Sequence, residues 1–274
     1  GETMQKKRRV RFDPELGVEA YCLGGTVETF PLHFHDYYVA GMIESGRRRM
    51  LGSGSCVLEP GDMILFNPGE AHGCEQVDGP FSYRALNIGA QTMQEAARQI
   101  TGSGLPPRLG PRVTRRSPLA RQLCAVQELI LRGEQGLRKE EAFWLFLGRL
   151  LNAHAQPAGP RAAESRGVAA AAAYLKAHAQ QPVTLDMLAG AAGMEKYRLL
   201  RAFARERGIS PYRYLEALRV ARAQTLLQRG MPPAEAALEA GFADQSHLCN
   251  AFRQRTGLTP GEYRKAFGEE EQNG

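Results

Sequence analysis

The sequence predicts an α+β protein in which a sheet domain is followed by helices, and three observations support this prediction. Between residues 11 and 112, short apolar or alternating runs rich in Val, Ile, Tyr and Phe are broken by turn signals. After the Pro- and Gly-rich stretch GSGLPPRLGP, apolar residues recur instead at helical spacing. The third observation is a near-repetition: AAGMEKYRLLRAFARERGISPYRYL (residues 191–215) closely matches EAGFADQSHLCNAFRQRTGLTPGEYR (residues 239–264).

The first part of the chain, residues 10–115, is therefore predicted to form a sheet sandwich or small barrel. Helical spacing then predicts two antiparallel helices in residues 116–156, joined by the short GEQGL. The apolar faces of this pair are larger than two small helices need, which indicates that they join two copies of the chain. These faces consist of Leu119, Leu123, Val126, Leu129 and Ile130 in the first helix, and of Phe143, Phe146, Leu147, Leu150 and Leu151 in the second.

The amino-acid composition indicates which class of partner the protein binds and in which cellular compartment it acts. The chain has 274 residues and a formal charge of +6, and residues 182–267 hold 13 Lys and Arg against 8 Asp and Glu. Most of the surplus thus lies in the repeated part, which favours an anionic partner. The 5 scattered cysteines form no Cys-x-x-Cys, which argues against a disulfide framework or a cysteine zinc site. No apolar run reaches the roughly 20 residues of a membrane span, so we expect no membrane association and a cytoplasmic protein.

Each copy of the repeat predicts a helix-turn-helix. The two copies lie in an all-α domain of residues 166–268, which follows a linker at residues 157–165. In each copy a short helix meets a glycine, Gly193 or Gly241, which can take the positive φ of a sharp turn. A second helix follows, with two apolar residues four positions apart on one face. These residues are Leu199 and Phe203 in the first copy and Leu248 and Phe252 in the second.

The segment between the copies predicts a connecting helix. It opens at Ser210 and Pro211 and closes at Gly230, and roughly 17 residues at 1.5 Å each span about 25 Å. With the width of the flanking helices, the two second helices would lie close to one DNA turn apart, about 34 Å. One chain could then contact two successive segments of the major groove. The alternative is a duplicated helical hairpin whose charges form a solvated face.

Residues 168–267, and above all AGFADQSHLCNAFRQRTGLTPGEYR, closely resemble the DNA-binding domain of AraC/XylS-type transcription regulators. The resemblance implies that exposed side chains at the starts of the two second helices face the major groove. They are Lys196, Tyr197, Leu200 and Arg201 in the first helix, and Gln245, Ser246, His247, Cys249 and Asn250 in the second. Three further arginines, Arg198, Arg205 and Arg253, are placed for phosphate, which adds affinity without sequence information.

The groove-facing side chains differ in the bases that they can read. Arg201 can donate two hydrogen bonds to guanine, and Gln245 and Asn250 can pair with adenine. Leu200 occupies a position that is often polar in relatives, so it offers only an apolar contact, for example to a thymine methyl group. Plain solvent exposure is the alternative for each of these side chains.

Two histidine motifs stand out in the sheet domain. PLHFHDYY places His33 and His35 on one face of a strand, and NPGEAH places His72 at the end of a later strand. These motifs resemble those of the cupins, which implies a cupin-like β-barrel. In metal-binding cupins a glutamate completes the ligand set, but residues 38–40 contain none. Glu70 or a water is the remaining substitute.

The family resemblance implies that the barrel binds a small effector. The expected lining residues are His33, His35, Tyr37, His72 and Arg84. Several interpretations of the histidines stay open. They shape an effector pocket without metal, they hold a divalent metal such as zinc, they form hydrogen bonds within the barrel, or they take part in catalysis.

The sequence therefore predicts a homodimeric, effector-responsive transcription regulator that is not an enzyme. Its expected partners are double-stranded promoter DNA, a small-molecule effector, a second copy of the chain and, for an activator, RNA polymerase. The direction of control does not follow from the sequence. The rival hypothesis is a metal-dependent cupin enzyme with a helical appendage. The missing fourth ligand and the complete double motif argue against that rival.

Overall fold

The described part of the chain divides into two units, each built from several stretches of sequence. The computed structural model describes residues 8–52, 54–156 and 165–268. Within these residues, unit 1 contains 8–29, 36–52, 54–69 and 74–156, and unit 2 contains 30–35, 70–73 and 165–268. Apart from Ser165, the predicted linker at 157–165 lies outside the described residues.

The predicted N-terminal sheet is present. Its strands, within the described residues, are β1 (Arg8–Asp13), β2 (Val18–Thr26), β3 (Phe30–His33), β4 (Tyr38–Leu51), β5 (Val57–Leu58), β6 (Met63–Phe66), β7 (His72–Ile88), β8 (Arg108–Leu109), β9 (Val113–Thr114) and β10 (Ala155–Gln156). Eight of them form one sheet in the order β1-β2-β7-β4-β6-β9, with β3 paired to β7 and β5 to β4, while β10 pairs with β8. This order is an open path, so closure into a barrel stays a prediction.

Three helices of unit 1 share a core with its strands. They are α1 (Ala90–Thr101), α2 (Ala120–Leu131) and α3 (Leu137–His154). Helices α2 and α3 confirm the predicted pair. Helix α1 lies in a stretch that the sequence analysis assigned to the sheet. Its buried residues Met93, Ala96 and Ala97 do have helical spacing. The turn signals on both sides of this short segment led to its assignment to the sheet.

The apolar faces of α2 and α3 are buried within unit 1. Leu123, Ile130, Phe143 and Leu147 are each at most 1% exposed, and they share one core with strand residues such as Leu86. Burial of each such side chain contributes about 1.5–3 kcal/mol. These faces are covered within unit 1 by each other, by α1 and by strands of the sheet, so their apolar character gives no support for a contact between two copies of the chain. A dimer stays a prediction without that support.

Unit 2 contains the predicted all-helical domain. Its helices are α4 (Arg166–Ala177), α5 (Leu185–Ala192), α6 (Lys196–Arg207), α7 (Pro211–Gln228), α8 (Pro233–Glu239), α9 (Gln245–Thr256) and α10 (Pro260–Gly268). Ser165, Thr184, Ser210 and Asp244 cap four of them by accepting a backbone N–H bond. The cap at Ser210 confirms the predicted start of α7. In the described part of the chain, no helix is both long and apolar enough to cross a bilayer.

The two copies of the repeat build the same packing. Helices α5 and α6 form one helix-turn-helix, α8 and α9 form the other, and α7 connects them. Phe203 of α6 meets Tyr214 of α7 edge to face with ring centroids 5.4 Å apart. Phe252 of α9 meets Tyr263 of α10 in the same way at 5.2 Å. Each such pair contributes about 0.5–1.5 kcal/mol beyond the area that it buries. The predicted duplication therefore extends to equivalent contacts.

Both turn glycines have the positive φ that the sequence predicts, 59° at Gly193 and 92° at Gly241. At Gly241 an added Cβ would lie 2.6 Å from the carbonyl oxygen of Ala179 and 2.8 Å from the Cα of Gln180. Glycine is thus required at this turn by space as well as by backbone conformation.

Two short segments from earlier in the chain complete unit 2. They contain β3 and the beginning of β7, where a Cβ on Gly73 would lie 2.6 Å from the carbonyl oxygen of Phe30. The ring of Phe34 packs against Tyr214, with centroids 4.6 Å apart. Phe34 is 8% exposed and shares a core with Leu199. Unit 2 therefore has one aromatic residue of an early segment inside its helical core.

We predict that Gly241→Ala lowers the free energy of unfolding by about 2 kcal/mol or more, because the added Cβ meets a backbone carbonyl and the positive φ strains any L-residue. Denaturant unfolding followed by circular dichroism measures this change. Gly190→Ala is the matched control, since Gly190 lies in α5 and its added Cβ meets nothing within 4 Å. The control should stabilise the helix by up to about 1 kcal/mol. Equal effects of the two substitutions would contradict the steric argument.

Candidate DNA interface and histidine cluster

Helix α6, the second helix of the first motif, has one buried face and one exposed face. Leu199 and Phe203 are 0% exposed, and their spacing puts them on the same side of the helix. The side chain of Tyr197 lies outside what the structure describes. The other residues predicted to contact DNA from this helix are all exposed, namely Lys196, Arg198, Leu200, Arg201 and Arg205.

Two cations on α6 have acidic partners. Lys196 Nζ lies 2.6 Å from Asp186 Oδ1, and Arg205 Nη2 donates to Glu206 Oε1 at 2.8 Å. At exposed positions such pairs contribute at most about 1 kcal/mol. A phosphate can therefore replace either carboxylate at little cost in free energy.

Helix α9, the second helix of the second motif, repeats this arrangement. Leu248 and Phe252 are 0% exposed, and Asp244 Oδ1 accepts a hydrogen bond from the backbone N–H of His247 at 2.7 Å. The polar residues predicted to contact DNA are exposed at Gln245, Ser246, Asn250 and Arg253, whereas His247 and Cys249 are half-buried.

His247 differs from its exposed neighbours because its ring faces the connecting helix α7. Its Nε2 lies 3.8 Å from Glu216 Oε1 and 3.5 Å from the hydroxyl of Tyr212. The ring also packs edge-on against Phe242, with centroids 5.0 Å apart. The structure thus shows His247 as a contact between α9 and α7.

Glu216 of α7 is the centre of a buried charge cluster that the sequence analysis missed. Its carboxylate accepts hydrogen bonds from Arg255 Nη2 at 2.8 Å and from Arg213 Nη1 at 2.9 Å. The side chains of Glu216 and Arg255 are 8% and 2% exposed. Burial alone would raise the pKa of Glu216, but the two arginines lower it below its usual value. No local pattern signals this pair, because its members are 39 residues apart.

Three predicted site residues, His33, His35 and His72, come together in unit 2. Their ring centroids are 4.7–5.1 Å apart, and one nitrogen of each lies within 4.8 Å of those of the others. Burial lowers the pKa of His33 and of His35 well below the usual value, and the neighbouring histidines lower both further. Both rings are therefore neutral at neutral pH.

The other two predicted effector-lining residues belong to unit 1. Arg84 of β7 donates to Glu44 Oε1 at 2.5 Å and to Gln127 Oε1 at 3.1 Å. Tyr37 is half-buried. The predicted lining set therefore comprises one cluster in unit 2 and two residues in unit 1.

Comparison with known families identifies a counterpart for each part of the chain. The AraC-like ligand binding domain matches residues 15–147, and the helix-turn-helix domain matches residues 188–266. YbfI of Bacillus subtilis, an uncharacterized HTH-type transcriptional regulator, is 39% identical over 247 residues, which cover 88% of this chain and 89% of YbfI. The HTH-type transcriptional regulator MtrA of Neisseria gonorrhoeae is 31% identical over 86 residues, which cover 31% of this chain and 29% of MtrA.

Solved structures share the fold at low sequence identity. An apo variant of ToxT from Vibrio cholerae has a TM-score of 0.60 at 12% identity, with 94% of this chain and 99% of the ToxT chain covered. Wild-type ToxT with a bound unsaturated fatty acid has a TM-score of 0.57 at 14% identity, with 90% and 94% covered. The likeness supports a sheet-rich first part and a helical second part.

Glu216→Ala should lower the free energy of unfolding by about 3–5 kcal/mol, because Arg255 would remain buried without its partner. Urea unfolding measures this loss. Glu239→Ala is the control, because it changes an exposed residue at the end of α8; it should change the free energy of unfolding by less than about 0.5 kcal/mol.

The loss in Glu216→Ala should depend on pH. Since the fold lowers the pKa of Glu216, the carboxylate stabilises the fold above the usual glutamate pKa of about 4.3, and this contribution disappears as pH falls through the lowered pKa. The wild type and the variant should therefore converge in acid. A constant difference between them across this pH range would contradict the assignment.

Proposed function

Because the chain belongs to the AraC family of helix-turn-helix transcription regulators, we propose that it binds promoter DNA through both motifs and that a small-molecule effector modulates this binding. The observation that carries the proposal is the duplicated motif on one connecting helix. Helix α7 has 18 residues, about 27 Å at 1.5 Å per residue. With the width of α6 and α9 added, this length is comparable with one DNA turn, about 34 Å.

The exposed faces of α6 and α9 supply two kinds of DNA contact. We assign base reading to Arg201, Gln245 and Asn250, whose side chains are exposed in the first halves of their helices and carry the donors and acceptors that match guanine or adenine. We assign phosphate contacts to Arg205 and Arg253, which lie further along the same helices. The phosphate contacts give affinity for any sequence, and the base contacts give sequence preference.

Effector binding is proposed for the N-terminal part of the chain. Its match to the AraC-like ligand binding domain over residues 15–147 supports this role. ToxT, which has a similar fold, is known with an unsaturated fatty acid bound, which supports a small organic molecule as the class of ligand. We keep Tyr37 and Arg84 in unit 1 and, separately, His33, His35 and His72 in unit 2 as candidate effector-binding residues.

A metal-dependent enzyme with a helical appendage is the alternative function. The relatives are transcription regulators by name, which supports regulation over catalysis. We further propose that the protein acts in the cytoplasm as a homodimer and that it contacts RNA polymerase where it activates transcription.

Selection of bound duplexes from a random DNA pool tests the DNA-binding proposal. The full chain should enrich a site with two half-sites about one helical turn apart. Recovery of duplexes without any shared sequence, or of no duplex at all, would contradict sequence-specific binding by the double motif.

Two arginines of α6 should separate base reading from phosphate contact on the selected site. Arg201→Ala should cost about 1–3 kcal/mol of binding and relax the preference at one base pair. Arg205→Ala should weaken all sequences alike and reduce the salt slope of log K by about 1. Fluorescence anisotropy across salt concentrations measures both effects, with Lys176→Ala, an exposed change in α4, as the control. Loss of affinity in both variants with unchanged preference would refute the assignment.

A further inference from the structure

The rings of His33 and His72 are oriented by bonds to the backbone. His33 Nδ1 lies 2.7 Å from the carbonyl oxygen of Pro31, and His72 Nδ1 lies 2.8 Å from that of Glu70. A carbonyl only accepts hydrogen bonds, so Nδ1 carries the hydrogen in both rings and Nε2 keeps its lone pair. Two histidines are therefore held in the tautomer that binds a metal through Nε2.

The arrangement fits a transition-metal site. Histidines that bind metals commonly donate their other N–H to a carbonyl, which fixes the ring and raises its basicity. With His35, the cluster offers three nitrogen ligands within 4.8 Å of one another. Glu70 was a possible substitute for the missing cupin glutamate. Its backbone carbonyl accepts the hydrogen bond from His72, but its side chain does not belong to the group of possible ligands.

The donor set selects the class of metal. Three imidazole nitrogens suit Zn²⁺ and similar divalent ions, whereas Mg²⁺ and Ca²⁺ prefer oxygen ligands. Three protein ligands leave the fourth tetrahedral position for a water or for a donor atom of a small molecule. The positive charge of Arg255 opposes a cation here, because it acts on both His33 and His35. Its ion pair with Glu216 at 2.8 Å offsets that charge.

We propose that His33, His35 and His72 bind one divalent transition-metal ion, with Zn²⁺ as the first candidate, and that the ion stabilises unit 2. Phe34 connects the site to the helical core, because it lies between two ligands in the sequence and its ring packs 4.6 Å from that of Tyr214. An ion that holds His33 and His35 also restrains Phe34 in this core. Since the ion binds only the folded cluster, it raises the stability of the fold. Any resulting change in DNA affinity rests on the function proposed above.

Metal titration of the full chain tests the site. Protein stripped with a chelator should take up one Zn²⁺ per chain by calorimetry and elemental analysis, and bound Co²⁺ should show visible absorption typical of tetrahedral nitrogen ligation. Each of His33→Ala, His35→Ala and His72→Ala should lose more than about 10-fold in affinity. His178→Ala is the control, because His178 is the C-cap of α4 and stacks on Tyr174 outside the cluster. The Zn²⁺ affinity of this variant should equal that of the wild type.

Thermal unfolding gives a second readout, and its measurement on the wild type does not depend on any variant folding. Zn²⁺ should raise the Tm of the wild type and leave that of His35→Ala unchanged. Lack of uptake by the folded wild type, or uptake that survives all three ligand substitutions, overturns the proposal. DNA binding is measured separately, with and without chelator. Absence of DNA binding in both conditions counts against the proposed function. Intact DNA binding without metal uptake counts against the metal site alone.

Discussion

Burial of two apolar residues on each second helix determines which surface this molecule offers to a partner. Leu199 and Phe203 on α6, and Leu248 and Phe252 on α9, are fully buried. Since a helix has a fixed period, burial of one face decides which residues are exposed on the other. For this reason Arg201 and Arg205 on α6, and Gln245, Asn250 and Arg253 on α9, are exposed. Because Phe203 and Phe252 each meet an equivalent tyrosine, the two copies anchor their exposed faces in the same way.

The Glu216–Arg255 pair adds an electrostatic constraint within unit 2. A buried ion pair is not in itself strongly stabilising, because both charges lose their hydration. The pair nevertheless requires a specific arrangement of the two helices, since rotation of α9 relative to α7 would leave one charge buried and unpaired. The same carboxylate also lies near His247, so a residue of α9 is oriented by the connecting helix α7. The pair therefore constrains the orientation of α9 relative to α7.

Two interpretations of the histidines, which were alternatives when only the sequence was considered, are compatible in the structure. One interpretation has the rings hydrogen-bonded within the fold, and the other has them bind a ligand or metal. His33 and His72 use Nδ1 for carbonyls of their own segments, so the lone pair of each ring lies on Nε2. The hydrogen bonds thus prepare the rings for binding and do not compete with it.

The amino-acid sequence by itself determined the features that depend on near neighbours. These include the α+β class, the repeated helix-turn-helix, the turns at Gly193 and Gly241, and the N-cap of α7 at Ser210, because caps, turns and helical periods act over a few residues. Only the tertiary structure decided what covers the apolar faces of α2 and α3, and which carboxylate receives Arg255. A helical period shows that one face will be buried but does not identify the surface that buries it. Partners tens of residues apart leave no local pattern, so the helix pair was predicted correctly while the surfaces that cover its apolar faces within the chain were not.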